Sequence, residues 1–82
     1  MDPTTCFNEM MDAYSLGMYD EASEHATELA EWLDKDGFPP VLHVSTDGMK
    51  VFVVSDQLAR EISRAACRLV LDQHEAECEP RI

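Results

Sequence analysis

The sequence is poor in positive charge. Six Lys and Arg face 17 Asp and Glu, a formal net charge of −11. Such a chain repels phosphate backbones, which argues against nucleic acid as a partner. Glycine is scarce too, three in 82 residues, and each falls where a turn is expected, so no phosphate-cradling loop can be drawn. No apolar run approaches the about 20 residues of a membrane span, and the acidic Met1-Asp2 start lacks the basic opening of a secretory signal. The expectation is a cytoplasmic protein that does not engage a membrane. Three cysteines, an odd number without a C-x-x-C pair, close no disulfide framework and suit a reducing setting.

What is present is enough for one globular domain spanning residues 1–82, with 45% hydrophobic content. A chain this short buries only about 60–65% of its unfolded surface, so contact with a partner would add to a small core. Charge is uneven. Residues 1–36 hold ten acids against Lys35 alone, whereas residues 37–82 hold seven acids and five bases.

The central stretch is the only β-rich one. Val41-Leu42-His43-Val44-Ser45 and Met49-Lys50-Val51-Phe52-Val53-Val54 flank Thr46-Asp47-Gly48. Asp-Gly between two β-branched runs signals a hairpin with a two-residue type I′ turn, in which Gly48 takes positive φ. That register places Leu42, Val44, Val51 and Val53 on one face, and Val41, His43, Phe52 and Val54 on the other. A lone hairpin is marginal in water, so cover by helices is expected.

Helices flank it. Asp2 as N-cap with Pro3 behind it opens a first helix whose apolar face is Phe7, Met10, Met11 and Tyr14, ended by Gly17. A second starts near Tyr19, with Tyr19, Ala22, Ala26, Leu29, Ala30 and Leu33 on one stripe and Glu21, Glu24, Glu28 and Glu31 opposite. Gly37 is placed as its C′ residue, before Pro39-Pro40. A third helix, capped by Ser55 or Asp56, runs to about Glu77, with Leu58, Ala59, Ile62, Ala65, Ala66 and Leu69 as core face. The predicted fold is a small single α+β domain in the order α-α-β-β-α, with an antiparallel β-hairpin packed by helices.

Residues 4–36 resemble one unit of the tetratricopeptide family. In Leu16-Gly17-Met18-Tyr19-Asp20-Glu21-Ala22, Gly17, Tyr19 and Ala22 stand where that family has its turn glycine, a tyrosine and a small contact residue, and Ala26 and Leu29 fit the helix that follows. In the first helix Cys6, Glu9 and Met10 stand where the family has aromatic, leucine and small residues. The resemblance implies an antiparallel helical hairpin; with one unit it implies no stacked array.

Candidate chemistry is sparse. Cys67, His74 and Cys78 share one side of the third helix with Leu71, and only His74 and Cys78 are close enough to share a metal. A structural zinc needs four ligands, so Cys6, His43 or a second subunit would have to complete the site. A cysteine nucleophile needs a base and an oxyanion site, and no signature of either is present. No catalytic residue, metal or cofactor is therefore assigned. Arg60, Arg64 and Arg68 form an i, i+4, i+8 row, either a docking strip or a balanced solvent face. Trp32 is an interface anchor or a cover for Pro39-Pro40. The candidate interaction residues are Trp32, His43, Phe52, Arg60, Arg64, Arg68 and Leu71.

Three functions remain open from the sequence. The first is a non-catalytic protein–protein interaction module, a homodimer with a further protein partner. The second is an acidic inhibitor or antitoxin-like protein that neutralises a basic partner through the glutamate face. The third is a thiol- or metal-dependent activity at Cys67, His74 and Cys78.

Overall fold

The computed structural model describes residues 1–78, as α1 (Pro3–Ser15), α2 (Tyr19–Asp34), β1 (His43–Ser45), β2 (Val51–Val53) and α3 (Asp56–Cys78). The α+β class and the order α-α-β-β-α are those expected. Local chemistry explains the element ends. The Asp2 carboxylate accepts from the Thr4 and Thr5 N–H groups at 3.0 and 3.4 Å, with Pro3 at the first helical position. The Thr5 hydroxyl, 2.9 Å away, and its N–H hold the Asp2 carboxyl below the usual range. Helix α1 ends in a Schellman turn: Gly17 has φ 76°, and the Met18 N–H reaches Ala13 O at 2.9 Å. Ser55 caps α3, its hydroxyl 3.4 Å from the Leu58 N–H.

The end of α2 departs from expectation by one residue. Asp36, not Gly37, takes the left-handed conformation at φ 62°, and the Gly37 N–H reaches Trp32 O at 2.9 Å. Gly37 is still required. A Cβ there would run into the ring and the carbonyl of Trp32.

Helix α2 is central, with α1 and α3 each packed against it. The buried core is Cys6, Met10 and Ala13 from α1, Ala22, Ala26, Leu29 and Leu33 from α2, and Cys67 and Val70 from α3. Small residues on α2 let its neighbours approach closely. Leu29 and Leu33 are fully buried and supply about 1.5–3 kcal/mol each. The molecule is a flat slab, 46 × 33 × 17 Å, with a radius of gyration of 13.6 Å against about 12 Å for a typical chain of this length. None of the described helices is long and apolar enough to cross a membrane.

Two details of packing correct the sequence reading. Helix α3 meets α2 through Ala59, Ser63, Cys67 and Val70, whereas Leu58, Ala65 and Leu69 are exposed. The buried seam is rotated about 100° from the expected core face. Both stripes have helical spacing; α2 takes the one with smaller side chains, where backbones come closer. The hairpin is the second correction. His43 pairs with Val53, Val44 with Phe52 and Ser45 with Val51. The connection is a three-residue loop, Asp47-Gly48-Met49, in which Met49 and not Gly48 has positive φ, 63°. The Met49 N–H reaches Thr46 O at 2.9 Å and the Thr46 N–H reaches Lys50 O at 3.0 Å, so a turn is followed by one left-handed residue. The one-residue slip exchanges faces: Leu42, Val44, Phe52 and Val54 now share one side, and His43, Ser45, Val51 and Val53 the other. Either register puts four apolar side chains on one face, so the loop and not the apolar count sets the pairing: the left-handed Met49 adds the third loop residue.

Candidate functional site

The residues singled out from the sequence divide into those the fold consumes and those it leaves open. The arginine row is largely consumed. Arg60 donates to Leu33 O at 3.1 Å and to Gly37 O at 2.8 Å, so it caps the carbonyl end of α2. Arg64 pairs with Asp34 at 2.9 Å and also reaches Leu33 O at 3.4 Å. Arg68 is exposed and carries no partner among the described residues. Trp32 is half-buried and consumed as well. Its indole N–H donates to Phe38 O at 2.8 Å, and the Phe38 ring meets it edge-on at 5.4 Å, just before the buried Pro39-Pro40 in the chain. Leu71 packs against the helical core.

Of the thiol and imidazole candidates, Cys67 and His74 lie among the described residues. Cys67 is buried, and burial pushes its thiol up to about 11, against the thiolate a nucleophile needs. Cys6 is raised for the same reason, and its thiol donates to His25 O at 3.3 Å. His74 contacts Asp20 at 2.8 Å, tying α3 to the start of α2, and His25 lies 3.5 Å from Glu9 across α1 and α2. The side chain of Cys78 lies outside the described residues. Among the described residues no group of three or more His, Cys, Asp or Glu is placed to hold a metal.

What remains open is the hairpin. All six strand residues are exposed, with Val51 at 63%, Phe52 at 53% and Val53 at 71%. His43 is one of the six. Among the described residues neither strand has a helix packed on it. Its root is tied to α1 by the Val41 N–H, which donates to the Thr4 hydroxyl at 2.9 Å, and the Val54 N–H extends the ladder between the two arms by reaching Leu42 O at 3.0 Å. Both outer edges keep unpaired backbone groups.

A second open surface escaped the sequence reading. The outer stripe of α3, Leu58, Ile62, Ala65 and Leu69, is exposed save for a half-buried Ile62, and its Ala65 and Leu69 line an open groove of about 450 Å³ with Glu61, Arg64, Arg68 and Asp72. The available signal was the position of Arg60 and Arg64, which can cap α2 only if the neighbouring stripe faces it.

No family model, curated protein or solved structure matches the chain. The tetratricopeptide resemblance rests on residues 4–36 alone.

Proposed function

We propose that this chain is a small acidic protein–protein interaction module without intrinsic catalysis, that the β-hairpin is its docking element, and that it self-associates. One observation carries the reading: β2 (Val51, Phe52, Val53) is apolar, and both strands are edge-exposed and uncovered. A monomer rarely leaves such a surface free unless a partner uses it. The test is amide hydrogen exchange. In dilute protein the strand amides should exchange much faster than those of α2, since a bare two-stranded hairpin is marginal. They should become protected as concentration rises. The double variant Val51→Thr, Val53→Thr keeps strand propensity but removes apolar surface, and should abolish that protection. Strand amides as slow as α2 in dilute protein would sink the reading.

The exposed glutamates favour a second reading, an acidic inhibitor of a basic partner. Glu21, Glu24, Glu28 and Glu31 are all exposed and make no ion pair among the described residues. Binding of that kind would weaken steeply with salt, whereas hairpin docking would not.

A further inference from the structure

We propose that the Asp47-Gly48 bond at the hairpin tip is a site of spontaneous covalent modification, where the chain closes to a succinimide and reopens as isoaspartate, and that the fold shields the chemically equivalent Asp36-Gly37 bond. This chemistry does not require the hairpin to dock. The chain has these two Asp-Gly bonds. In each, the glycine nitrogen is set to attack the aspartate Cγ, because a residue without a Cβ leaves that nitrogen uncrowded. The nitrogen gives up its proton, the N–Cγ bond forms and one carboxyl oxygen leaves as water. Water then adds to the ring. Attack at Cγ restores aspartate, whereas attack at the main-chain carbonyl carbon leaves the chain running through Cβ and Cγ. One water departs and one enters, so no oxidant or cofactor is consumed.

The fold treats the two bonds differently. The Gly37 N–H donates to Trp32 O at 2.9 Å, and the Gly37 carbonyl accepts from Arg60 at 2.8 Å. The Trp32 ring lies where a Cβ on Gly37 would be. The nitrogen is thus held on both sides, and it cannot turn towards Asp36 without breaking these contacts. At the hairpin tip no such restraint exists. Asp47 and Gly48 are both exposed. Neither the Gly48 N–H nor the Asp47 carboxylate makes a hydrogen bond among the described residues. A Cβ on Gly48 would meet only the Thr46 hydroxyl, at 3.8 Å. An uncovered two-stranded hairpin also opens readily, which lets Asp47 rotate into the ring-closing geometry. The product falls where it matters structurally. Isoaspartate adds one carbon to the main chain inside the three-residue loop, and loop length sets the pairing of Ser45 with Val51.

The experiment is incubation of dilute native protein in warm neutral buffer made with heavy-oxygen water, since each passage through the succinimide installs one heavy oxygen. Cleavage after Lys35 and Lys50 in ordinary water releases residues 36–50, which carry both sites on one peptide, and tandem mass spectrometry assigns the label. In the native protein label should enter Asp47 about 10-fold or more faster than Asp36, as the hydrogen bond and packing at Gly37 demand. In denaturing urea the two sites should take up label at similar rates. Enzymatic methylation of isoaspartate should rise in step with the label at Asp47. Gly48→Ala fits the open space, so its circular dichroism should match the parent while uptake at Asp47 slows severalfold. Equal native uptake at the two sites overturns the proposal, and so does an Asp47 that stays unlabelled or gains label without isoaspartate. A difference that persists in urea overturns the role given to the fold. Uptake in Gly48→Ala as fast as in the parent overturns the attack by the Gly48 nitrogen.

Discussion

Individual residues hold the slab together at a few strained or shared points. Asp36 and Met49 are both left-handed, at φ 62° and 63°, where a Cβ is unfavourable. Replacing either with glycine should stabilise the protein by about 0.5–1 kcal/mol in chemical denaturation. Met49→Gly also tests the loop: in a two-residue Asp47-Gly48 turn Met49 would be a strand residue, and glycine there would destabilise instead. Arg60 is a heavier point. One guanidinium donates to the Leu33 carbonyl in the last turn of α2 and to the Gly37 carbonyl in the turn that follows. Arg60→Ala should cost on the order of 2 kcal/mol, as for hydrogen bonds from a charged donor. Arg60→Lys should recover little of it, because a single ammonium cannot span both acceptors. Thermal melting of the two variants distinguishes a cap from a mere surface charge, for which both losses would be small.

At the scale of elements, the helix starts and stops were legible because their chemistry is local. Asp2-Pro3, Gly17 and Ser55 announce ends that need no knowledge of the rest of the fold. Apart from the one-residue shift at the end of α2, the errors, in hairpin register, in the buried face of α3 and in the helical cover expected over the hairpin, arose where a choice depends on a partner. Hairpin register differs by one residue between a two- and a three-residue loop, and Asp47-Gly48-Met49 admits both. Helix α3 has two stripes of equal period, and only the small-residue surface of α2 selects Ala59, Ser63, Cys67 and Val70. Hence the hairpin and the outer stripe, which the sequence joins within one chain, are both left open. The selected seam carries a flaw that can be measured. The Ser63 hydroxyl is fully buried without a hydrogen-bond partner among the described residues. Ser63→Ala should stabilise by about 1 kcal/mol through removal of that unsatisfied group and better helix propensity; a loss would mean the hydroxyl is bonded. In the same seam, the Cys67 thiol is raised from 9.0 to about 11. A raised value means that the folded state resists ionisation, so stability is full below pH 9 and falls as pH rises from 9 towards 11. Cys67→Ala should flatten that part of the stability–pH curve relative to the parent, whatever its own cost at neutral pH.

For the whole molecule, acidity sets the remaining balance. The net charge of −11 on so small a body opposes compaction through self-repulsion. Glu21, Glu24, Glu28 and Glu31 contribute to it without a cationic partner among the described residues. Glutamine has nearly the same helix propensity, so replacing all four isolates the charge effect. Glu21 loses a favourable place in the first turn of α2, worth a few tenths of a kcal/mol. The relief of repulsion outweighs it at low salt, where the quadruple variant should be more stable than the parent by about 0.5–1 kcal/mol. The gap should close as salt is raised, because the parent gains from screening what the variant gained by substitution. Urea titrations of both proteins at low and high salt provide the measurement. A variant less stable than the parent at low salt would show instead that these carboxylates pair inside the molecule, with Arg68 the first candidate. Self-association should respond differently. The hairpin lies outside the acidic residues 1–36, so the dimer should tighten only modestly in the quadruple variant, by the reduced long-range repulsion between copies. A large gain would place the glutamate face at the interface itself.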